Sequence, residues 1–354
     1  MEARVQAFTL VDGGQPAERT AQALADFVAA AEHTLEIAIY DVRLPDPLAQ
    51  TVCGALEAAA RRGVAVRLAY NEDCPSGQTV PPPPRTEPNL LESLPFPTEA
   101  IPGVPDLMHH KYVIRDRASL WTGSTNWTAD SWTREENVVV TVDSAALAAR
   151  YLEDFETLWT TRDVAKTGKV DQSPVDGIRA WFCPGRGGKL AHRIAKAIGT
   201  AQRRIRIASP VISSGPILGT LAQVASDGKI DLAGVVDLTQ VQEVLRQWHD
   251  NGNATWKDPL LRASLTRAPF SGKHSTPYRP GSVHDYMHAK VTVVDDVVFA
   301  GSFNLSHSGE QNAENVLEIH DPALAERLAA FVDGVRARYP VASLGSATPA
   351  VPRA

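Results

Sequence analysis

The sequence predicts an α/β fold built twice, a pseudo-two-fold arrangement in which each half is a mixed central β-sheet flanked by helices. Two observations predict it. The segment His109-His110-Lys111-Tyr112-Val113-Ile114-Arg115-Asp116 returns 179 residues later as His288-Ala289-Lys290-Val291-Thr292-Val293-Val294-Asp295, so that both copies read H-x-K-x-x-x-x-D. Strand-like and helix-like stretches also recur in the same order ahead of each copy, and a long internal repeat of alternating strand and helix signals a duplicated α/β unit.

In the first half, Val5 to Val11 alternates as a strand and leads through Asp12-Gly13-Gly14 into a helical pattern, Ala17 to Glu32, with Leu24, Phe27, Val28 and Ala31 on one face. Thr34 to Val42 reads as a strand. The stretch from about Asp46 to Arg62 reads as a helix carrying Leu48, Val52, Leu56 and Ala59 in register. Gly63 stops it, and Val64 to Tyr70 is again strand-like. The second half repeats this with strand Ile178 to Cys183, turn Gly185 to Gly188, helix Lys189 to Gln202, strand Arg203 to Ala208, helix Pro216 to Ser226 and strand Lys229 to Asp237. The halves are placed at residues 1–160 and 177–340, with a linker at 161–176 and a disordered tail at 341–354.

Each half carries an insertion ahead of its motif. Pro75 to Pro105 holds ten of the 25 prolines and favours extended loop and polyproline II over helix. Thr239 to Asp285 is richer in Trp, Lys, Arg and His, and is read as an irregular loop that walls the site.

The alternation after each Lys places both motifs on strands, where residues i and i+2 share a face, so His and Lys project together. A Gly-Ser-x-Asn follows each motif, Gly123-Ser124-Thr125-Asn126 and Gly301-Ser302-Phe303-Asn304, and a Glu-Asn pair follows ten residues after each Asn, Glu136-Asn137 and Glu314-Asn315. A lysine beside a histidine makes a phosphate cradle, and the Ser and Asn can add hydrogen bonds to phosphoryl oxygens. One imidazole cannot readily be both in-line nucleophile and leaving-group acid on opposite sides of phosphorus. Two copies can divide the work: one His attacks and forms a covalent phosphohistidine, while the other protonates the departing oxygen and then activates water or an alcohol. The lysine pair neutralises charge that Mg²⁺ would otherwise carry, so no metal and no cofactor is expected.

Both copies resemble the HKD motif of the phospholipase D superfamily, and the resemblance spans residues 5 to 335. It implies that His109 and His288 are the catalytic histidines and that Lys111, Lys290, Asn126 and Asn304 bind phosphate, with Ser124 and Ser302 as minor contacts. It gives Asp116 and Asp295 a structural role, holding lobes and motif backbones. Glu136 and Glu314 match the acid that hydrogen-bonds the distal nitrogen of a catalytic His. Glu135 precedes Glu136, and the offset from Asn126 selects the second. Two-motif relatives more often use the N-terminal His as nucleophile, which favours His109.

His110 faces the other way on its strand and reads as packing. His284 and His307 read as partly exposed loop residues, and Trp121, Trp127 and Trp132 as core rather than base-stacking platforms. Lys273, Arg279 and Arg186 could line the cleft; each alone reads as solvated surface, and the clustering of Lys273, His274, Arg279, His284 and Lys290 favours the cleft wall for that loop.

Fold and motif do not separate nucleases from phospholipases or phosphatidyltransferases. The Gly-Ser-x-Asn and Glu-Asn context resembles the bacterial nuclease and mitochondrial phospholipase D branch, and the sequence shows no transmembrane stretch or signal peptide. Against a broad nucleic-acid surface stands a net charge of −6. The expectation is a nuclease acting on single-stranded DNA or RNA, with phospholipid head-group hydrolysis or transfer as the alternative and a catalytically idle scaffold more remote. Three cysteines, Cys53, Cys74 and Cys183, without metal-ligand spacing point to a reduced, cytoplasmic setting. With both motifs in one chain, no dimer is required to complete a site.

Overall fold

The computed structural model describes residues 3–72, 86 and 88–344; the Pro81–Pro84 run and most of the 341–354 tail lie outside the described residues. The first half runs β1 (Arg4–Leu10), α1 (Ala17–Ala29), β2 (Thr34–Ile39), β3 (Val42–Arg43), α2 (Asp46–Arg61), β4 (Ala65–Asn71), α3 (Pro88–Glu92), β5 (Thr98–Ile101), β6 (Lys111–Arg115), β7 (Ser119–Gly123), β8 (Trp127–Thr128), α4 (Ala129–Thr133), β9 (Asn137–Asp143) and α5 (Ala145–Thr161). The second runs β10 (Ile178–Cys183), α6 (Gly187–Gly199), β11 (Arg204–Ala208), α7 (Gly215–Asp227), β12 (Asp231–Asp237), α8 (Leu238–Asn251), α9 (Lys257–Arg267), β13 (Phe270–Lys273), β14 (Val291–Val294), β15 (Val297–Gly301), α10 (His307–Gln311), β16 (Glu314–His320) and α11 (Pro322–Arg336).

The two seven-stranded sheets have corresponding orders, β1-β9-β7-β6-β2-β4-β5 and β10-β16-β15-β14-β11-β12-β13. In each, the β2–β4–β5 or β11–β12–β13 edge is parallel and the rest antiparallel, which is the mixed sheet that the repeat predicted. Leu24 and Val28 of α1 and Leu48, Val52 and Leu56 of α2 cover the outer face of the first sheet. Leu190, Ile194 and Ile198 of α6 and Ile217, Leu218 and Leu221 of α7 do the same for the second. The inner faces share one core with α5 (Leu147, Tyr151, Phe155) and α11 (Leu324, Leu328, Val332) between them. Helix α5 starts where the Ser144 hydroxyl accepts from Leu147 N–H, and α11 where the Asp321 carboxylate accepts from Ala323 and Leu324 N–H. Burying both inner faces in one core holds the halves in register, and that register brings the motifs together.

The insertions are more ordered than their composition suggests. Within Pro75–Pro105, the described part forms α3 and the edge strand β5. Within Thr239–Asp285, the expected irregular loop is instead the helix pair α8 and α9 followed by β13. Helix α8 has the signals of an amphipathic helix. Val241, Val244 and Trp248 fall on one buried face, the Asp237 carboxylate caps Gln240 N–H at 3.0 Å, and Gly252 ends the helix in the left-handed region. Residues 161–176 include the end of α5 and a short 3₁₀ turn, Val164–Lys166, and bury Thr167 and Val170.

Candidate active site

The two motif strands, β6 and β14, are central in their sheets, with each His at or just ahead of the strand's start. Side chains from the parallel edge fix the residue before each His: the Asn71 carbonyl oxygen accepts from Met108 N–H at 2.9 Å, and the Asp237 carboxylate from Met287 N–H at 3.0 Å. Across the interface, His109 N–H donates to the Ala313 carbonyl at 2.9 Å and His288 N–H to the Glu136 carbonyl at 3.2 Å. Each histidine backbone is thus bonded to the opposite half. The site exists only because the halves are docked.

His109, Lys111, His288 and Lys290 are all buried. Each lysine ammonium folds back onto the carbonyl of its own histidine, at 2.7 Å for Lys111 and 2.6 Å for Lys290. Tyr40 packs edge-on against His109 and lies beneath the Lys111 ammonium, 4.8 Å from its ring centroid. Nε2 of His109 and Oδ1 of both Asn126 and Asn304 are buried without a protein hydrogen-bond partner. Buried polar atoms of this kind are rarely left unsatisfied without a functional reason.

Burial, reinforced by the positive charges of Lys111 and Lys290, holds the His109 imidazole well below its ordinary value. Burial does the same to His288, reinforced by Lys290 and Lys111. Lys111 is pulled down to about 7 by burial, against Glu314 and Asp41. Lys290 is pulled well down by burial and by Lys111. Burial raises the Glu314 carboxyl to about 8 against the pull of Lys111, and Glu135 to about 7 against its bonds from Ser131 and Asn137. Four dry basic groups held this way seek an anion. A phosphodiester between them would restore charge to the lysines.

The supporting residues depart from the simple repeat. Glu314 sits where the offset from Asn304 predicts, with its carboxylate 2.8 Å from Nδ1 of His109. Glu136 does not take the matching place. Its carboxylate accepts from Lys273 at 3.0 Å and from the Tyr339 hydroxyl. His288 Nδ1 instead faces the Asn137 carbonyl oxygen at 3.1 Å, with the Glu135 carboxylate at 3.3 Å.

Strand register explains the exchange. Gly123 pairs with Val139, whereas Gly301 pairs with Val316, so the structural counterpart of Glu314 is Asn137. The first half has one residue more between its Asn126 and β9, and a one-residue slip turns every side chain to the opposite face. Glu136 is turned away from the histidine, and Glu135 and Asn137 are turned toward it.

Ser124 and Ser302 were expected to touch phosphate, but their hydroxyls are turned to these supports. Ser124 donates to the Asn137 carbonyl oxygen at 2.6 Å, and Ser302 donates to Glu314. The preceding glycines allow the close strand approach: a Cβ on Gly123 would fall 2.1 Å from the Val138 carbonyl, and one on Gly301 2.0 Å from that of Asn315.

Asp116 and Asp295 lie at the far ends of their strands. Asp116 accepts from the backbone N–H of Glu32 at 3.0 Å, His33 at 2.6 Å and Thr34 at 2.9 Å. Asp295 accepts from Gln202 and Arg203 at 2.8 Å each and from Arg204 at 3.1 Å. Those backbone bonds hold both carboxyls below the usual range despite partial desolvation, which acts the other way.

His110 is buried between the Asn315 carbonyl oxygen and the Asp154 carboxylate, each 3.2 Å away. Trp121, Trp127 and Trp132 are core residues. Lys273, weighed as a cleft cation, is buried against Asp12 and Glu136 and ties the halves together. His284, read as a loop residue, is buried between Tyr278 and Tyr286, close enough to bear on the charge of His288. Among the described residues, no group of three or more His, Cys, Asp or Glu is arranged to hold a metal ion, and no helix is long and apolar enough to cross a membrane.

Comparison with known proteins gives the family. The family described as "Cardiolipin synthase, PLD-like domain" matches residues 24–159 and again 194–335. The chain belongs to the phospholipase D superfamily.

Among curated relatives, human mitochondrial cardiolipin hydrolase is 43% identical over 56 residues, covering 16% of this chain and 22% of the relative. The Xenopus laevis protein of the same name is 39% identical over 59 residues, and the chain spans 28% of its length. Phosphatidylserine synthase of Haemophilus influenzae shares the fold, with a TM-score of 0.63 at 12% identity over 94% of this chain and 86% of that one. The phospholipase D family member Nuc from Salmonella typhimurium aligns with 45% of this chain and 95% of its own at 23% identity, with a TM-score of 0.36.

Proposed function

We propose that the protein cleaves nucleic-acid phosphodiesters by a metal-independent, two-step mechanism, with His109 as nucleophile and His288 as acid and base. The observation that carries the mechanism is the unlike support of the two imidazoles. His109 has a carboxylate at 2.8 Å on Nδ1 and a bare Nε2. An Nδ1–H donated to Glu314 leaves the Nε2 lone pair free, and the low basicity that burial enforces keeps it unprotonated.

In the first step, Nε2 of His109 attacks phosphorus, the bond to the leaving oxygen breaks, and His288 gives that oxygen its proton. The incoming anion raises the affinity of His288 for that proton by offsetting the lysine field. In the second step, water loses a proton to His288 and attacks phosphorus, and the phosphorus–nitrogen bond breaks to free His109. Lys111 and Lys290, with the Asn126 and Asn304 side chains, hold the non-bridging oxygens as negative charge builds.

Nucleic acid is favoured as substrate because amides, hydroxyls, an indole and a lysine outnumber the aliphatic Val211, Val244 and Ala254 in the lining of the cavity beside Asn304. The lipid reading is the second one, favoured by the names of the family match and of the curated relatives. Cys53 and Cys183 are free and buried, in keeping with a reducing compartment such as the cytoplasm.

Two measurements test the proposal. In EDTA, the protein should cut a single-stranded oligonucleotide faster than it releases head group from cardiolipin or phosphatidylglycerol vesicles; the reverse order, or restoration by Mg²⁺ of activity lost to EDTA, would overturn it. With a p-nitrophenyl phosphodiester, whose leaving group needs no acid, His288→Ala should accumulate a phosphoenzyme at His109. An adduct at His288 in His109→Ala would reverse the assignment.

A further inference from the structure

Helices α8 and α9 stand between the parallel edge strands β12 and β13. With the loop joining them and the segment after Asn304, they enclose a cavity of about 210 Å³. We propose that this cavity is a base-binding subsite for the nucleotide next to the scissile phosphate, and that Trp256, whose ring lies 5.6 Å from the ammonium of the lining Lys257, stacks the base beyond. The inference rests on the nuclease reading and deepens it.

Three features carry it. First, Asn304, which the proposed mechanism places on a non-bridging oxygen, lines the cavity. Secondly, its wall is chemically specific. Asn251 and Asn253 present amides, which both donate and accept and so suit the edge of a base, beside Trp248, with Val211, Val244 and Ala254 completing the apolar part of the wall. Thirdly, Trp256 is 57% exposed although it is the residue most costly to leave in water, and it is one residue from Lys257.

The Lys257 ammonium lies 5.7 Å from the Trp248 ring centroid and 5.6 Å from that of Trp256, and it donates to the Ser213 carbonyl at 2.8 Å. An ammonium has three donors, so a phosphate linking the two bases can be held there as well.

The same features exclude other occupants. A choline or ethanolamine head group would bring a second cation to indoles that already face the Lys257 charge. An acyl chain would face the Asn251 and Asn253 amides and the Lys257 ammonium with no polar atom to offer them.

The test compares wild type with Trp256→Ala, Asn253→Ala and Lys257→Gln on a single-stranded DNA decamer and on bis(p-nitrophenyl) phosphate, a diester without bases. Loss of one stacked base should raise KM for the decamer by roughly tenfold to a hundredfold. Kinetics on the small diester should stay within about twofold. Lys257→Gln should also lower the slope of log affinity against log salt by about one. An unchanged KM for the decamer in Trp256→Ala and Asn253→Ala, or equal losses on both substrates, would overturn the subsite. A wild-type protein that cleaves the small diester but leaves the decamer intact would instead overturn the nuclease reading itself.

Discussion

Replacing Asp116 should damage stability and spare chemistry, although the residue belongs to the signature motif. Its carboxylate binds three consecutive backbone N–H groups, at Glu32, His33 and Thr34, and so ties the turn between α1 and β2 to the β6–β7 hairpin. Hydrogen bonds to a charged acceptor contribute ~1.5–3 kcal/mol each when well shielded. The carboxylate is half-exposed, so water competes and about 1 kcal/mol per bond is the appropriate scale. Asp116 also has φ of 52°. An alanine there adds about 1 kcal/mol for the left-handed conformation, which Asp and Asn tolerate better.

Asp116→Ala should therefore cost about 3–4 kcal/mol, and Asp116→Asn about half of that, since an amide keeps one acceptor and tolerates the backbone. Because the folded-state pKa is depressed, the carboxylate's contribution is complete above the unfolded value of about 3.9. It fades as pH falls through the folded value. The gap between wild type and Asp116→Asn should accordingly be constant from pH 5 to 7 and close in stronger acid. Urea unfolding gives the stability, and kcat/KM on a diester at a temperature where all variants are folded gives the chemistry. A loss of turnover of about a hundredfold in Asp116→Asn with unchanged stability would refute the reasoning.

Two further predictions concern the histidines and lysines. Glu314→Gln removes the charged partner of His109 and should lower kcat by roughly a hundredfold, the upper end for a group that orients an active-site ligand. Glu135→Gln should cost only about tenfold, because Asn137 keeps its bond to His288 at 3.1 Å. Equal losses in paired steady-state assays would contradict the division of roles. In the free enzyme, Lys111 loses its proton near pH 7 rather than near 10 because it is buried. The alkaline limb of kcat/KM should thus fall close to neutrality, since that parameter reports the free enzyme. His109, with its lowered pKa, should stay unprotonated through the acid limb. A kcat/KM flat to pH 10 would show that Lys111 is not the titrating group.

The architecture was legible in the sequence wherever one rule decided it. The 3.6-residue stripe in Ala17–Ala29 and the alternation in Ile178–Cys183 set element type, and the repeat set the correspondence of the two sheets. Helices α8 and α9 were missed because tryptophan, lysine and histidine were weighed as loop composition, while the capping Asp237 and the terminal Gly252 went unweighed. The burial of Lys273 was not legible, since its partners Asp12 and Glu136 come from the other half of the chain. His284 was missed for a related reason, because its shelter comes from Tyr278 and Tyr286, whose arrangement depends on the folded loop.

The hardest feature to read was the choice among Glu135, Glu136 and Asn137, and it is also the one with most consequence. Counting ten residues from each Asn treats the two halves as equal, but pairing of Gly123 with Val139 and of Gly301 with Val316 shows them one residue out of step. In a strand that step exchanges faces. It turns Glu136 toward Lys273 and Tyr339, where it joins the halves, and leaves an amide where the other half has a carboxylate. On the proposed mechanism attack and protonation fall to different imidazoles. The extra residue gives His109 and His288 unlike partners without disturbing either motif, since they keep matching backbone bonds to Ala313 and Glu136. Thus the duplication provides two histidines, and the single-residue departure from it gives them the unlike supports that the proposed division of roles requires.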